Sequence, residues 1–304
     1  MLPQLTYFLV IIIWATTPLA IKLGGESFVP LAGLSLRIAL AFLVGSAICT
    51  IGGYAGLNIK RHWKLYAVAS IGLFPNMALV YMAATYIPSG LIALLFGLTP
   101  FYSALLSQLL LGEGDLPARK LVAITIAVVG LGLIFADRSS LNAGSTPGIL
   151  LMLISNLLFS GSALWVKRIN RTLSVGPMEQ ALGAMVFSLP GLFITWFAVV
   201  GFEPVSVTPA SLVSLLYLAF CGSLLGFVAY YYILNQFTAE TVSLIPLITP
   251  VLAMILGVVV VDEQVTLAMI AGAVLIISAL IIHQRLWHVL RLRYPCRNKQ
   301  GDQI

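Results

Sequence analysis

An arginine, two asparagines and a row of hydroxyls are the residues of this chain best placed to do chemistry, because each lies inside a long apolar run. Asn76 and Asn156 carry amides that need several hydrogen-bond partners wherever water is absent. Thr99, Ser103 and Ser107 follow at i, i+4 and i+8, which places their hydroxyls on one helical face. Asn156, Ser160, Ala163 and Lys167 form a similar stripe. Such stripes either pack helices together or line a watery cavity. Trp14, Tyr81, Tyr102, Trp165 and the run Tyr230–Tyr232 offer ring faces to a ligand, or serve as interfacial anchors. Neighbouring residues on a helix point about 100° apart, so at most one of the three consecutive tyrosines faces inward. Tyr231 is the expected one, four residues before Asn235 and on its face.

Charges inside the apolar runs need separate treatment. Arg37 stands roughly 10 Å into its run, counted from Pro30 at 1.5 Å per residue. It either snorkels outward, pairs with Glu26 or Glu203, or attracts an anionic group of a substrate. No carboxylate sits clearly at mid-run, which gives no support to a proton-relay acid. No Asp-x-x-Asp cluster or His-rich turn is present, and Cys49, Cys221 and Cys296 are scattered. Catalytic residues, a metal site, a cofactor and a disulfide framework are therefore not expected.

The elements that must hold these residues follow from hydropathy. Hydrophobic residues make up 60 % of the chain and charged ones 9 %. Ten apolar windows approach or exceed the bilayer-crossing length of about 20 residues: 5–22, 29–51, 64–86, 90–111, 119–136, 147–166, 179–200, 208–234, 240–261 and 266–284. The expected fold class is an all-α polytopic membrane protein. The first window lacks a basic leader and a cleavage pattern, so it reads as a retained helix. Thirteen of the sixteen Lys and Arg residues fall on one set of loops and the tail, with Lys22 and Arg138 opposite. Positive residues stay inside, which predicts cytoplasmic termini. The net charge of +6 therefore reports topology and gives no reason to expect nucleic acid as a partner.

The chain also repeats itself. Thr99-Pro100 followed by Glu113 recurs as Thr249-Pro250 followed by Glu263, at a constant offset of 150 residues that Tyr81 and Tyr231 share. Five windows per copy is an odd number, so the second copy would enter the membrane from the other side as an inverted repeat. The expected units are 1–138 and 147–284, joined by a polar linker at 139–146 and followed by a basic tail at 285–304. That tail is either an interfacial amphipathic helix holding anionic lipid or an ordinary cytoplasmic end. Pro100 and Pro250 break hydrogen bonding mid-window, as static kinks or as a hinge or gate. Pro75 and Pro246 lack mirror partners and read as structural. Glu113 and Glu263 are expected as structural clamps onto loop backbone, or onto Lys120 for Glu113.

Tyr81 through Gly90, Thr99-Pro100, Leu111-Gly112-Glu113 and their second copy from Ile248 to Ala273 resemble the EamA-type family of the drug/metabolite transporter superfamily. Trp14, Lys22 and Arg37 resemble that family's first two helices. The resemblance implies ten helices around a central cavity, lined mainly by helices 1, 3, 4, 6, 8 and 9. It also implies efflux of a small metabolite, such as an amino acid or related amphipathic compound, across a bacterial inner membrane. Substrate contacts are then expected at Trp14, Asn76, Tyr81, Thr99, Tyr102, Asn156, Trp165, Tyr231 and Thr249. Small-molecule substrate and membrane lipid are the expected partners, and a homodimer stays open. An importer or obligate exchanger is the alternative, a non-transporting membrane scaffold a further one, and an intramembrane enzyme acting on lipid-linked substrate a remote one.

Overall fold

A backbone in hydrocarbon must satisfy its own polar groups, and these sequences do so as helices throughout the described residues. The computed structural model describes residues 3–53, 56–111, 117–136, 144–201, 206–237, 242 and 245–284. The helices are α1 Pro3–Gly24, α2 Pro30–Ile51, α3 Ile59–Ser70, α4 Asn76–Ala83, α5 Ser89–Phe96, α6 Thr99–Leu111, α7 Ala118–Ala136, α8 Ser145–Leu173, α9 Pro177–Val199 and α10 Pro209–Tyr217. A π-helical stretch, Leu218–Leu225, leads into α11 Gly226–Gln236, followed by α12 Ile245–Val261 and α13 Leu267–Gln284. Pro30, Pro177 and Pro209 sit in the first turns of their helices, where a missing N–H costs nothing. Thr208 caps α10 by accepting from the Ser211 N–H at 3.2 Å.

Helical segments Pro3–Gly24, Pro30–Ile51, Ser89–Leu109, Ser145–Leu173, Pro177–Val199 and Pro209–Leu234 are each long and apolar enough to cross a bilayer. Ile248–Val261 and Leu267–Ile282 are shorter apolar helices. Helix occupies every apolar window, but three windows are not uniform α-helix. Between α3 and α4 the chain turns through 71–75, ending on Pro75, and between α5 and α6 it turns at Gly97–Leu98 ahead of Pro100. The π stretch lies 150 residues beyond the first of these turns, so both copies depart from α-geometry at the same place. The Thr-Pro pair is less symmetric. Pro100 falls in the first turn of α6, after a break, whereas Pro250 lies inside the continuous α12.

Two neighbouring residues of α8 hold the breaks closed. Pro100 has no N–H to give to Phe96 O, and the Thr99 hydroxyl takes that place at 2.6 Å. Asn156 donates from Nδ2 to Leu95 O at 2.8 Å and to Met152 O at 3.1 Å, and its Oδ1 lies 2.8 Å from the same Thr99 hydroxyl. At the other break Asn76 donates its side-chain amide to Gly72 O at 2.9 Å, while Ser155 donates to Asn76 Oδ1 at 2.6 Å. Both asparagines are fully buried.

Packing respects the repeat. Helix α1 lies against α10, the π stretch, α11 and α12, and α8 lies against α3, α4, α5 and α6, which are the same places in the other copy. Helix α2 packs on α9, α5 on α12, and α7 on α13. Glycines allow the closest approaches: a Cβ at Gly183 would lie 2.2 Å from the buried Tyr66 ring, and one at Gly272 would lie 2.7 Å from Gly130 O.

Replacing Asn156 by Leu preserves bulk but removes its hydrogen bonds to Leu95 O and the Thr99 hydroxyl, which keep only the Leu98 N–H and Phe96 O. The expected loss is about 1–2 kcal/mol, read as a lower melting temperature of the purified protein. Leu157→Ala, on the exposed face of the same helix, should change stability by less than about 0.5 kcal/mol.

Candidate functional site

Where α1, α2, α4, α5, α6 and α8 meet the π stretch, α11 and α12, a cavity of about 80 Å³ remains. Its wall is mostly apolar: Trp14, Pro18 and Ile21 from α1, Met77 and Val80 from α4, Ala93 and Phe96 from α5, Phe159 from α8 and Phe227 from α11. Thr17, Thr99 and Thr249 add hydroxyls, and Arg37 adds the one charged side chain among the described lining residues. The space holds two or three waters at about 30 Å³ each and is well short of the roughly 300 Å³ of a small-molecule site. A second cavity, of about 460 Å³, lies beside the α1–α2 loop and is lined by Lys22, Glu26, Phe28, Tyr81 and Thr85 among others. Ile21 borders both spaces.

Aromatic rings brace the inner cavity. Trp14 lies 5.1 Å from Tyr230 and 6.0 Å from Phe159, and Phe159 meets Phe96 edge-on at 6.5 Å. Such pairs stiffen a wall beyond what their buried area alone provides.

The expected site residues divide by position. Trp14, Thr99 and Thr249 line the cavity. Tyr81 is buried at the border of the outer space. Asn76 and Asn156 stand one layer behind the wall, bonded to the helix breaks. Tyr231 is buried against Phe227 and Tyr230 and does not touch the cavity, and Tyr230 is the member of its run that meets Trp14. Tyr102 is half-buried on α6. Trp165 is 42 % exposed on α8 beneath the Arg168 guanidinium. Pro100 and Pro250 are both buried. Glu113, Glu203, Cys296 and the tail at 285–304 fall outside the described residues. Sequence reasoning missed Phe159, Phe96, Phe227 and Met77. Phe159 had a signal, because it lies three residues after Asn156 on the same helix and so on nearly the same face.

Two ionisable clusters tie the copies together away from the cavity. Glu263, in the loop after α12, accepts from Lys22 Nζ at 2.7 Å, from the Ser89 N–H at 2.8 Å and from the Gly90 N–H at 3.3 Å. Its carboxylate therefore caps the positive start of α5 as well as pairing with the end of α1. Burial works to raise the Glu263 pKa, but the hydrogen bonds from Lys22 and Ser89 and the Lys22 charge outweigh it and hold the carboxyl below its ordinary value. The second cluster joins α3 to α9: one Glu179 oxygen lies 2.7 Å from His62 Nδ1 and also accepts from the Tyr66 hydroxyl. Arg37 is different. Its Nε donates to Ser223 Oγ at 2.6 Å and its Nη1 to the Tyr81 hydroxyl at 3.3 Å, and no carboxylate among the described residues lies within ion-pair distance.

A folded pKa below the unfolded one means that the Glu263 contacts stabilise fully above the unfolded carboxylate range and lose that effect as pH falls through the folded value. Glu263→Gln should cost about 1–2 kcal/mol at neutral pH, the worth of a charged helix cap. Melting curves should show wild type and variant converging as pH falls below about 4.

Residues 1–136 and 146–283 each match the EamA-like transporter family. "Uncharacterized inner membrane transporter YedA" of Escherichia coli K12 is 24 % identical over 253 residues, covering 82 % of this chain and 80 % of that one. "Protein PecM" of Dickeya dadantii is 27 % identical, covering 90 % and 89 %. A "Probable amino-acid metabolite efflux pump" of Escherichia coli K12 is 24 % identical, covering 90 % and 92 %. A solved crystal structure shares the fold with a TM-score of 0.66 and 20 % identity, covering 95 % of this chain and 98 % of its own. With two matching repeats and helices suited to a bilayer, the chain is a multi-pass membrane protein and belongs to the EamA-like transporter family.

Proposed function

We propose that the protein is a secondary transporter of the bacterial inner membrane that moves a small amphipathic metabolite outward by alternating access. The observation that carries this reading is the position of the cavity, which lies between the two copies and takes lining residues from both. In the reading, ten segments cross the membrane as two inverted five-segment repeats with both termini in the cytoplasm. The uneven distribution of Lys and Arg and the repeat-related packing of α1 and α8 support that topology. The Lys22–Glu263 and His62–Glu179 contacts are inter-repeat latches that open in turn, with Thr99-Pro100 and Thr249-Pro250 bordering the parts that bend. Outward movement is supported by the efflux pump among the relatives. The described lining offers hydroxyls, rings and one guanidinium without a base to activate them, which favours transport over catalysis.

Counterflow in proteoliposomes tests this. Purified protein should exchange labelled for unlabelled amphipathic metabolites with saturation. Ala93→Phe, which fills the cavity, should cut the rate about tenfold or more while the protein remains monodisperse. Absence of saturable flux from folded protein across a broad panel of amino acids and related metabolites would contradict the proposal.

A further inference from the structure

Arg37 has capacity that the protein leaves unused. It is only 2 % exposed, so its charge sits away from bulk water. An arginine keeps that charge whatever its surroundings and carries five N–H donors. Two hydrogen bonds, to Ser223 and Tyr81, account for Nε and one hydrogen of Nη1. Nη2 makes no hydrogen bond among the described residues. It lies at Gly222, where an added Cβ would stand 3.0 Å away, and both Arg37 and Gly222 line the inner cavity. Its partners are hydroxyls and the Tyr81 ring, whose centroid is 5.9 Å away, and none carries negative charge. A buried cation without a counter-ion is costly unless something supplies the missing charge.

The remainder of the cavity completes the description of what could supply it. The rest of the described lining is ring, aliphatic and hydroxyl surface, and no carboxylate among it stands ready to receive an ammonium group. Arg37 also links the two spaces, since it lines the inner one and holds Tyr81, which lines the outer. We propose that Arg37 docks the carboxylate of an amphipathic organic monoanion, whose apolar body lies against Trp14, Phe96, Phe159 and Phe227. This inference rests on the transport reading and narrows it: the preferred cargo carries one negative charge and no ammonium. A planar guanidinium edge suits a carboxylate, which it can meet with two parallel hydrogen bonds.

The test uses four probes of one shape and different charge: 3-phenylpropionate, phenylalanine, phenethylamine and 3-phenylpropanol. Binding to the purified full chain is read by quenching of intrinsic tryptophan fluorescence and by calorimetry. Wild type should bind 3-phenylpropionate at least about tenfold more tightly than the other three. Arg37→Gln should bring its affinity to within about threefold of theirs, and Arg37→Lys should fall between. Preference for phenylalanine or phenethylamine would overturn the proposal. So would failure of wild type to bind any of the four, or an anion preference that survives in Arg37→Gln. The wild-type comparison decides the matter even where the glutamine variant fails to fold. Counterflow with the same probes separates the two claims: saturable flux of the zwitterion or cation, indifferent to Arg37→Lys, retires the anion proposal and leaves transport standing. Absence of flux for every metabolite retires both.

Discussion

Inside a bilayer a peptide carbonyl or N–H has no water to turn to, and the arrangement around the cavity follows from that constraint. A helix that crosses without interruption satisfies itself. One that breaks does not, and this protein breaks two helices beside its cavity, at 71–75 and at Gly97–Leu98. Asn156 of α8 bonds the second directly, and its neighbour Ser155 holds Asn76, which bonds the first. Because the same helix also supplies Phe159 to the cavity wall, the wall and the repairs form one unit. Moving α8 relative to α5 and α6 disturbs the backbone as well as the lining.

The two copies share a plan and depart from it where the chemistry lies. Both lose regular α-geometry at corresponding positions, one as a turn and one as a π stretch. Arg37, however, is matched by Phe187 at the repeat offset, so among the described lining residues the guanidinium comes from one copy alone. Glu263 reaches across to Lys22 and to the start of α5, and Glu179 reaches across to α3. Contacts of this kind, between copies rather than within them, suit a protein whose halves change their mutual position. The inner cavity is small, about 80 Å³, and a larger space of about 460 Å³ lies beside the α1–α2 loop.

Much of this was legible in the sequence, and the failures are informative. The apolar windows and the repeat could be read because hydropathy and spacing are local properties. Trp14, Thr99 and Thr249, singled out by residue type or by the repeated motif, line the cavity. The asparagines were visible as costly groups, but an amide looks the same whether it serves a ligand or a carbonyl, and only the helix breaks reveal the latter. The tyrosine run shows a different limit. Tyr231 was expected inward because it shares a helical face with Asn235, yet Tyr230 is the ring that meets Trp14. Spacing says which residues share a face, and packing decides which face meets the neighbouring helix. Arg37 could be seen as a charge out of place, while the hydroxyl identity of its partners depended on long-range packing.

In the proposed transport cycle the cavity between the copies opens to each side of the membrane in turn. Thiol labelling tests it most directly. In a chain with Cys49, Cys221 and Cys296 replaced by serine, Thr249→Cys places one thiol in the cavity wall. A membrane-impermeant maleimide should label it in right-side-out and in inside-out vesicles alike, and an occupying substrate should slow both reactions. Labelling confined to one vesicle orientation, or absent from both, would contradict alternating access through this cavity.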